Sequence, residues 1–253
     1  MTHKEASYWL SLLTKLNKWS ISHLTGGYRK RTHYDVLLDH DTYREIRASL
    51  KAKYANHWVQ AWPEKTDAQK FIPEDISIAS WLLGIWQRYP SERSFPTKYV
   101  DLGCGNGFLV HLLTSEGIPG YGIDQSERKV WSLYGPTTHL EAQTLSPPTT
   151  HFASAEWLVG NHADELIPWI PIMAARSGIY HSKIILIPCC RYDLAGRKFT
   201  RTRPGQTRFQ TYVDYVKDIM TQCGYEISTE NLRIPSTKDI ALVGMRRTFA
   251  PSK

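Results

Sequence analysis

Apolar residues recur at helical spacing in the first part of the chain and predict helices there. A stripe of aromatic and leucine side chains marks the first, and a charged helical stretch runs from Asp41 to about Lys53. Helical spacing returns from Pro73 to Tyr89. We expect residues 1–97 to form a helical extension that packs on the rest of the chain. The first stripe consists of Tyr8, Trp9, Leu12, Leu13, Leu16 and Trp19.

From Lys98 onward, short apolar runs alternate with helical patterns, which is typical of βα units in a parallel sheet. This alternation predicts an α/β class, with a Rossmann-like, mostly parallel seven-stranded sheet in residues 98–253. The predicted strands are Tyr99–Leu102, Tyr121–Ile123, Leu140–Leu145, Trp157–Val159, Lys183–Ile187, Tyr225–Ser228 and Ile240–Met245. The predicted helices are Gly107–Glu116, Ser126–Leu133, Asp164–Arg176 and Phe209–Cys223.

Composition limits the cellular compartments and the classes of partner that are compatible with the chain. The 253 residues carry a formal net charge of +7, which favours a polyanionic partner because Lys and Arg near phosphates release counterions. Four cysteines without paired spacing predict neither a structural metal nor a disulfide framework. The chain has no apolar run long enough for a membrane span and no signal-peptide pattern, so we expect a cytoplasmic protein without a membrane partner.

The strongest local signal is a strand that runs into a glycine turn and opens a helix, from Val100 to Gly107. Asp124 ends the next strand, where a carboxylate can accept from the ribose hydroxyls of an adenosyl group. A nicotinamide dinucleotide is disfavoured because Phe108 stands in place of the third glycine of that fingerprint. The pattern favours S-adenosylmethionine as the cofactor. The expected cofactor residues are Asp101, Gly103, Gly105, Asn106, Asp124 and Asn161.

Reacting groups in such a sheet gather at the carboxyl ends of the strands, so the segments after the fourth and fifth strands are candidates. Asn161 and His162 follow the fourth strand, and Arg191 follows the fifth. These three are the catalytic candidates, and His162 offers a neutral acceptor nitrogen for a hydroxyl proton. The alternative to catalysis for His162 is a supporting position behind the site. Asp164 and Glu165 follow in the same segment. The alternative to a direct catalytic role for them is a place in the first turn of the next helix, where acids suit the positive end of the helix dipole.

Two adjacent cysteines, Cys189 and Cys190, leave a second chemistry open. Some pyrimidine C5-methyltransferases keep a cysteine here that attacks C6 of the base, so covalent catalysis is a rival hypothesis. Small cysteines that pack beneath a cofactor are the commoner case, and we favour that interpretation. The segment that follows is basic and contains Tyr192 and Phe199, as a nucleic-acid contact would require. Its cations are Arg191, Arg197, Lys198, Arg201, Arg203 and Arg208.

Blocks of sequence spread over most of the chain resemble one family, the eukaryotic tRNA (uracil-2′-O)-methyltransferases that act on the uridine between the anticodon stem and the variable arm of serine tRNAs. The glycine motif is shared by many methyltransferases, whereas the other blocks are more specific and occur in the same order. The blocks are Trp62–Asp67, Lys70–Phe71, Glu74–Ile76, Asp101–Gly107, Gly160–Leu166, Pro168–Pro171, Pro188–Cys190 and Leu232–Thr237.

This resemblance implies 2′-O-methylation of uridine 44 in serine tRNA with S-adenosylmethionine, with Gly103, Gly105 and Asp124 on the cofactor. The Lys-Asp-Lys-Glu tetrad of several other ribose methyltransferases is not recognisable by spacing. Lys70, Glu74 and Asp75 are further candidates to reach the pocket, and the N-terminal helices are expected to hold the tRNA. C5-methylation of a pyrimidine, methylation of a protein and a non-catalytic RNA-binding subunit remain alternatives.

Overall fold

The computed structural model describes residues 3–25, 32–90, 98–177, 182–200 and 205–249. The chain divides into two units, Met1–His33 and Tyr34–Lys253. The first unit contains helix α1, His3–Leu24, which follows the predicted apolar stripe. The packing of α1 on the rest of the chain stays a prediction. Among the described helices, none combines the length and the apolar character that crossing a membrane requires.

Three α-helices precede the sheet in the described part of the second unit: α2 at His40–Leu50, α3 at Asn56–Ala61 and α4 at Ala68–Arg88. A π-helical segment, Lys51–Ala55, joins α2 to α3. The predicted start of α4 at Pro73 is wrong. The Asp67 side chain accepts from the backbone N–H of Gln69 and caps the helix five residues earlier. Pro73 lies inside the first turns, where its missing N–H leaves one helical bond unmade.

The seven strands form one sheet in the order β3-β2-β1-β4-β5-β7-β6. Strands β1 to β5 pair in parallel, and β7 is antiparallel to both β5 and β6. The predicted α/β class with a mostly parallel sheet is confirmed. The strands are β1 Tyr99–Leu102, β2 Gly120–Asp124, β3 His139–Ala142, β4 Trp157–Asn161, β5 Lys183–Ile187, β6 Tyr225–Asn231 and β7 Ile240–Arg247.

Three α-helices follow β1, β4 and β5: α5 at Phe108–Ser115, α6 at Ile170–Arg176 and α7 at Arg208–Gln222. The predicted helix Ser126–Leu133 is wrong, because only a short 3₁₀ turn forms, at Lys129–Leu133. The predicted helix Asp164–Arg176 is divided into a 3₁₀ turn, Asp164–Leu166, and α6. Pro168 and Pro171 explain the division, since proline donates no backbone hydrogen bond and suits the first turn of a helix.

Both faces of the sheet are covered by apolar layers. Tyr99 faces one layer, where its ring stacks on Trp86 of α4 with centroids 5.3 Å apart. Val100 and Leu102 face the other layer together with residues of α6 and α7. The alternation follows from the period of two along a strand. A strand buried on both faces, such as β5 from Ile184 to Ile187, therefore reads as a continuous apolar run.

The sheet reverses its strand order between β1 and β4, which are neighbours although two strands separate them in sequence. From β1 the chain continues to β2 and β3 on one side, and it returns to β4 and β5 on the other. Connections therefore leave the carboxyl ends of β1 and β4 in opposite directions and open a crevice there. This crevice is where the fold offers a binding site.

Candidate active site at the carboxyl ends of the strands

A cavity of about 580 Å³ lies at the carboxyl ends of β1, β2 and β4, and is called the central cavity below. Its wall includes every residue that the sequence predicted for the cofactor, together with His162. Arg191 is not among the described residues of the wall. The cofactor residues on the wall are Asp101, Gly103, Gly105, Asn106, Asp124 and Asn161.

The glycine turn after β1 takes a shape that a side chain would oppose. Gly103 and Gly105 have φ angles of 75° and 55°, in the left-handed region that favours glycine. The backbone N–H of Gly103 donates to the Ile123 carbonyl at 2.8 Å and ties the turn to β2. A Cβ at Gly103 would lie 3.1 Å from the Ala163 Cα, whereas one at Gly105 would meet no atom within 4 Å. The backbone at Gly105 is therefore open to a ligand.

Asp124 is fixed at the end of β2 by backbone donors. Its carboxylate accepts from the N–H of Gly105 at 3.0 Å and from the N–H of Ser126 at 3.1 Å. The Arg128 guanidinium lies 3.7 Å from the same carboxylate. Each carboxylate oxygen can accept a further bond, so the group is oriented in advance for hydroxyl donors. This geometry suits the ribose of an adenosyl group.

Asn106 holds the shape of the turn through its side chain. Its Oδ1 accepts from the N–H of Phe108 at 2.7 Å and begins α5. The Asn106 carbonyl accepts from the Tyr134 hydroxyl at 3.0 Å, and the neighbouring Gly105 carbonyl accepts from Trp131 Nε1 at 3.0 Å. Asn106 therefore shapes the wall, and its side-chain oxygen is already engaged.

Two buried oxygens on the wall have no hydrogen-bond partner among the described residues, Oδ1 of Asp101 and Oδ1 of Asn161. Buried acceptors are nearly always paired, so these two call for a donor from a ligand. S-adenosylmethionine offers an ammonium group for such acceptors and ribose hydroxyls for Asp124. The donor set and the open glycine turn fit this cofactor, whose sulfonium would supply a transferable methyl group.

A group of acids from α4 approaches His162, which follows β4. His162 Nε2 lies 3.4 Å from Oε1 of Glu74, whose side chain is 6% exposed. Asp75 lies on the cavity wall, and burial raises its pKa to about 7 despite the opposing effect of His162. Burial alone would lower the pKa of His162, but Glu74, Asp75 and Asp164 together raise it. The predicted approach of α4 thus involves Glu74 and Asp75.

Neither cysteine after β5 lies on the described wall of the cavity. Cys189 Sγ lies 3.5 Å from Oδ1 of Asp164. Burial, with the neighbouring Cys190 and Asp164, raises the pKa of Cys189 to about 12, and burial with Asp164 also raises that of Cys190. A thiol attacks as the thiolate, so this environment opposes a covalent mechanism.

The basic segment after β5 is partly paired within itself. Lys198 Nζ lies 3.8 Å from the centre of the Tyr192 ring, and Arg197 forms an ion pair with Asp193 at 3.1 Å. The Arg191 carbonyl accepts from the N–H of Phe199 at 3.0 Å, so Arg191 stands at the base of this loop. Arg201 and Arg203 lie outside the described residues, and Arg208 begins α7.

The chain matches a family model described as "Predicted AdoMet-dependent methyltransferase" over residues 37–145. It is 43% identical over 250 residues to a Homo sapiens protein named "Probable tRNA (uracil-O(2)-)-methyltransferase", with 97% of this chain and 32% of that protein covered. A Neurospora crassa protein named "tRNA (uracil-O(2)-)-methyltransferase" is 36% identical, with 87% and 50% covered. The chain thus spans about a third to a half of the length of these curated relatives.

A Burkholderia thailandensis 1,6-didemethyltoxoflavin-N1-methyltransferase, solved with S-adenosylhomocysteine, is similar in structure, with 14% identity and a TM-score of 0.44. The alignment covers 88% of this chain and 98% of that one. The family model agrees with the predicted cofactor, S-adenosylmethionine. The resemblance that the sequence blocks indicated is therefore confirmed: the chain is similar over nearly its whole length to curated tRNA (uracil-O(2)-)-methyltransferases.

Proposed function

We propose that this protein transfers a methyl group from S-adenosylmethionine to the 2′-oxygen of a uridine ribose in tRNA. The observation that carries the proposal is the central cavity, where a glycine turn, an oriented Asp124 and two unpartnered acceptors meet a histidine after β4. The names of the relatives support tRNA and the uridine oxygen. As the finer target we propose uridine 44 of serine tRNA, modified in the cytoplasm.

The reaction needs alignment more than covalent chemistry. The 2′-hydroxyl must lie in line with the methyl group, water must be kept away, and a group must take the hydroxyl proton. In this proposal Asp101, Asp124 and Asn161 hold the cofactor, and His162 takes the proton. The N-terminal helices and the basic segment after β5 hold the tRNA backbone, which accords with the net charge of +7.

The test is incubation of the full chain with unmodified serine tRNA and methyl-labelled S-adenosylmethionine, followed by nuclease digestion and mass spectrometry of the nucleosides. We expect labelled 2′-O-methyluridine. A matched tRNA with 2′-deoxyuridine at position 44 should take up no label if that position is the target. Label on a base carbon would contradict the proposal and favour the cysteine mechanism.

Two other outcomes would also contradict the proposal. Binding of cofactor and tRNA without transfer would indicate a non-catalytic subunit. Transfer to a protein in preference to tRNA would overturn the choice of substrate.

A further inference from the structure

We propose that Glu74 is a positioning residue for His162. Its carboxylate accepts from the Nε2–H of the imidazole, which leaves Nδ1 to accept the proton of the ribose 2′-hydroxyl. The inference rests on the proposed function, because it assigns a proton acceptor for ribose methylation. It also makes claims about the free protein that can be tested without turnover.

The contact between Glu74 and His162 joins two elements that are distant in sequence. Glu74 lies on α4, and its Oε1 is 3.4 Å from His162 Nε2. That oxygen is buried and has no other hydrogen-bond partner among the described residues, so the imidazole N–H is the donor that would satisfy it. A buried carboxylate without a partner costs several kcal/mol, and an apolar residue would suit this stretch of α4 better. The position of Glu74 is therefore explained by the histidine.

The backbone at His162 supports a fixed orientation of its side chain. His162 and Asp164 have φ angles of 56° and 41°, although neither is glycine. This conformation is unfavourable for a residue other than glycine and persists only where the surroundings hold it. Between them, Ala163 lies close against the glycine turn at Gly103. The strained segment thus places His162 on the cavity wall with its Nε2 edge toward α4.

The charged groups that face His162 come from two elements. Glu74 and Asp75 approach from α4, and Asp164 belongs to the segment after β4. Burial lowers the pKa of His162, and the three acids outweigh that effect and raise it. The acids therefore stabilise the imidazolium that forms when the histidine takes a proton. Because the acids raise the pKa of His162, the histidine can accept the hydroxyl proton only at a pH above that raised pKa.

In the transfer, the 2′-oxygen forms a bond to the methyl carbon while the bond from that carbon to sulfur breaks. The sulfur keeps the electron pair, and S-adenosylhomocysteine is the product. The hydroxyl proton passes to Nδ1 of His162, and the imidazolium is stabilised by Glu74 until it loses the proton to solvent. No further reactant is needed.

The test combines ¹⁵N imidazole NMR of the free protein with pH–rate profiles for Glu74→Gln and His162→Gln. In the wild type we expect the neutral His162 to carry its proton on Nε2. Glu74→Gln should lower the pKa of His162 and move the acid limb of kcat to lower pH, because a carboxylate that favours the imidazolium has been removed. It should lower kcat about ten-fold or more, with KM for tRNA and cofactor affinity within about two-fold. His162→Gln should lower kcat by about 10²–10⁴-fold, the range of general base catalysis.

Two further variants separate positioning from stability. Glu74→Asp keeps the charge and should restore part of both the titration and kcat. Glu230→Gln is the matched control, because Glu230 is another buried acid, which accepts from the backbone N–H groups of Asp35 and Leu37 and does not line the central cavity. It should leave the His162 titration and the acid limb unchanged, whatever it does to the free energy of unfolding.

Three outcomes would overturn the inference. If Glu74→Gln leaves the His162 titration and the acid limb at their wild-type positions, Glu74 does not position the histidine. That result leaves the formation of 2′-O-methyluridine, and with it the proposed function, intact. A neutral His162 protonated on Nδ1 would exclude the assigned geometry. A coupled Glu74–His162 pair in a protein that methylates no ribose would overturn the assignment of the proton acceptor together with the proposed function.

Discussion

The two sides of the central cavity are built in different ways. On the cofactor side, the glycine turn and Asp124 are held by hydrogen bonds from nearby backbone groups, and the carboxylate is already oriented. On the opposite side, the segment Asn161–Asp164 contains two residues with positive φ and an oxygen for which the described part of the chain offers no hydrogen-bond partner. Its histidine faces the acids Glu74 and Asp75, which α4 brings from elsewhere in the chain. One side is prepared for a ligand by contacts within a single β-α-β unit, and the other depends on a contact with a helix that lies before the sheet in the chain.

The largest effect on the cofactor side should come from Asp124→Ala. The change removes the acceptor for the ribose hydroxyls and also releases the Gly105 N–H, which now donates to it at 3.0 Å. Hydrogen bonds to a charged group contribute about 1.5–3 kcal/mol each, so we expect cofactor affinity to fall by about 100-fold. Calorimetric titration with S-adenosylhomocysteine measures this loss.

Asp39→Ala is the control for Asp124→Ala, because the Asp39 carboxylate also accepts from a backbone N–H, that of Thr42, and does not line the central cavity. Its affinity for S-adenosylhomocysteine should equal that of the wild type. An unchanged affinity in Asp124→Ala would show that the prepared carboxylate does not bind the cofactor, and the contrast between the two sides would lose its basis.

A pair of glycine variants tests the junction between the two sides. Both glycines have positive φ, so alanine at either position should cost about 1–2 kcal/mol of unfolding free energy. Gly103→Ala should cost about 1 kcal/mol more, because its Cβ would press on Ala163 beside His162. Gly105→Ala meets open space and should act mainly on cofactor affinity. Chemical denaturation and calorimetry separate these effects, and equal losses of stability would contradict the assigned packing.

The cofactor side could be predicted from sequence because its signals are local. Strand β1 begins and ends where its apolar run does, and the glycines after it mark a turn that only a few backbone shapes satisfy. The cofactor residues on this side followed from that turn and from Asp124, whereas Asn161 lies on the opposite side. The hydrogen bonds of the turn stay within the β-α-β unit that the sequence pattern describes, so the prediction and the geometry agree.

The opposite side could be predicted only in part. The approach of α4 was expected from a resemblance, but no spacing along the chain indicates that Glu74 meets His162. The start of α4 was also misplaced, because Pro73 reads as a boundary whereas the cap at Asp67 decides it. Arg191 was expected in the site because it follows a strand, yet its backbone anchors a loop beside Phe199. These features depend on tertiary contacts, which periodicity does not encode.

We expect the smallest effect from substitution of the two cysteines after β5. This substitution tests whether the reacting side of the cavity includes them. Replacing both Cys189 and Cys190 by alanine should leave ribose methylation within about three-fold of wild type, because neither lies on the described wall. At a pKa of about 12, on the order of one Cys189 thiol in 10⁵ is ionised at neutral pH, too few for an effective nucleophile. Nucleoside mass spectrometry measures the methylation, and release of tritium from C5-labelled uridine measures the rival reaction. Loss of all transfer in a variant that still folds and binds cofactor, with tritium release by the wild type, would place a cysteine at the reacting centre and extend that side beyond His162.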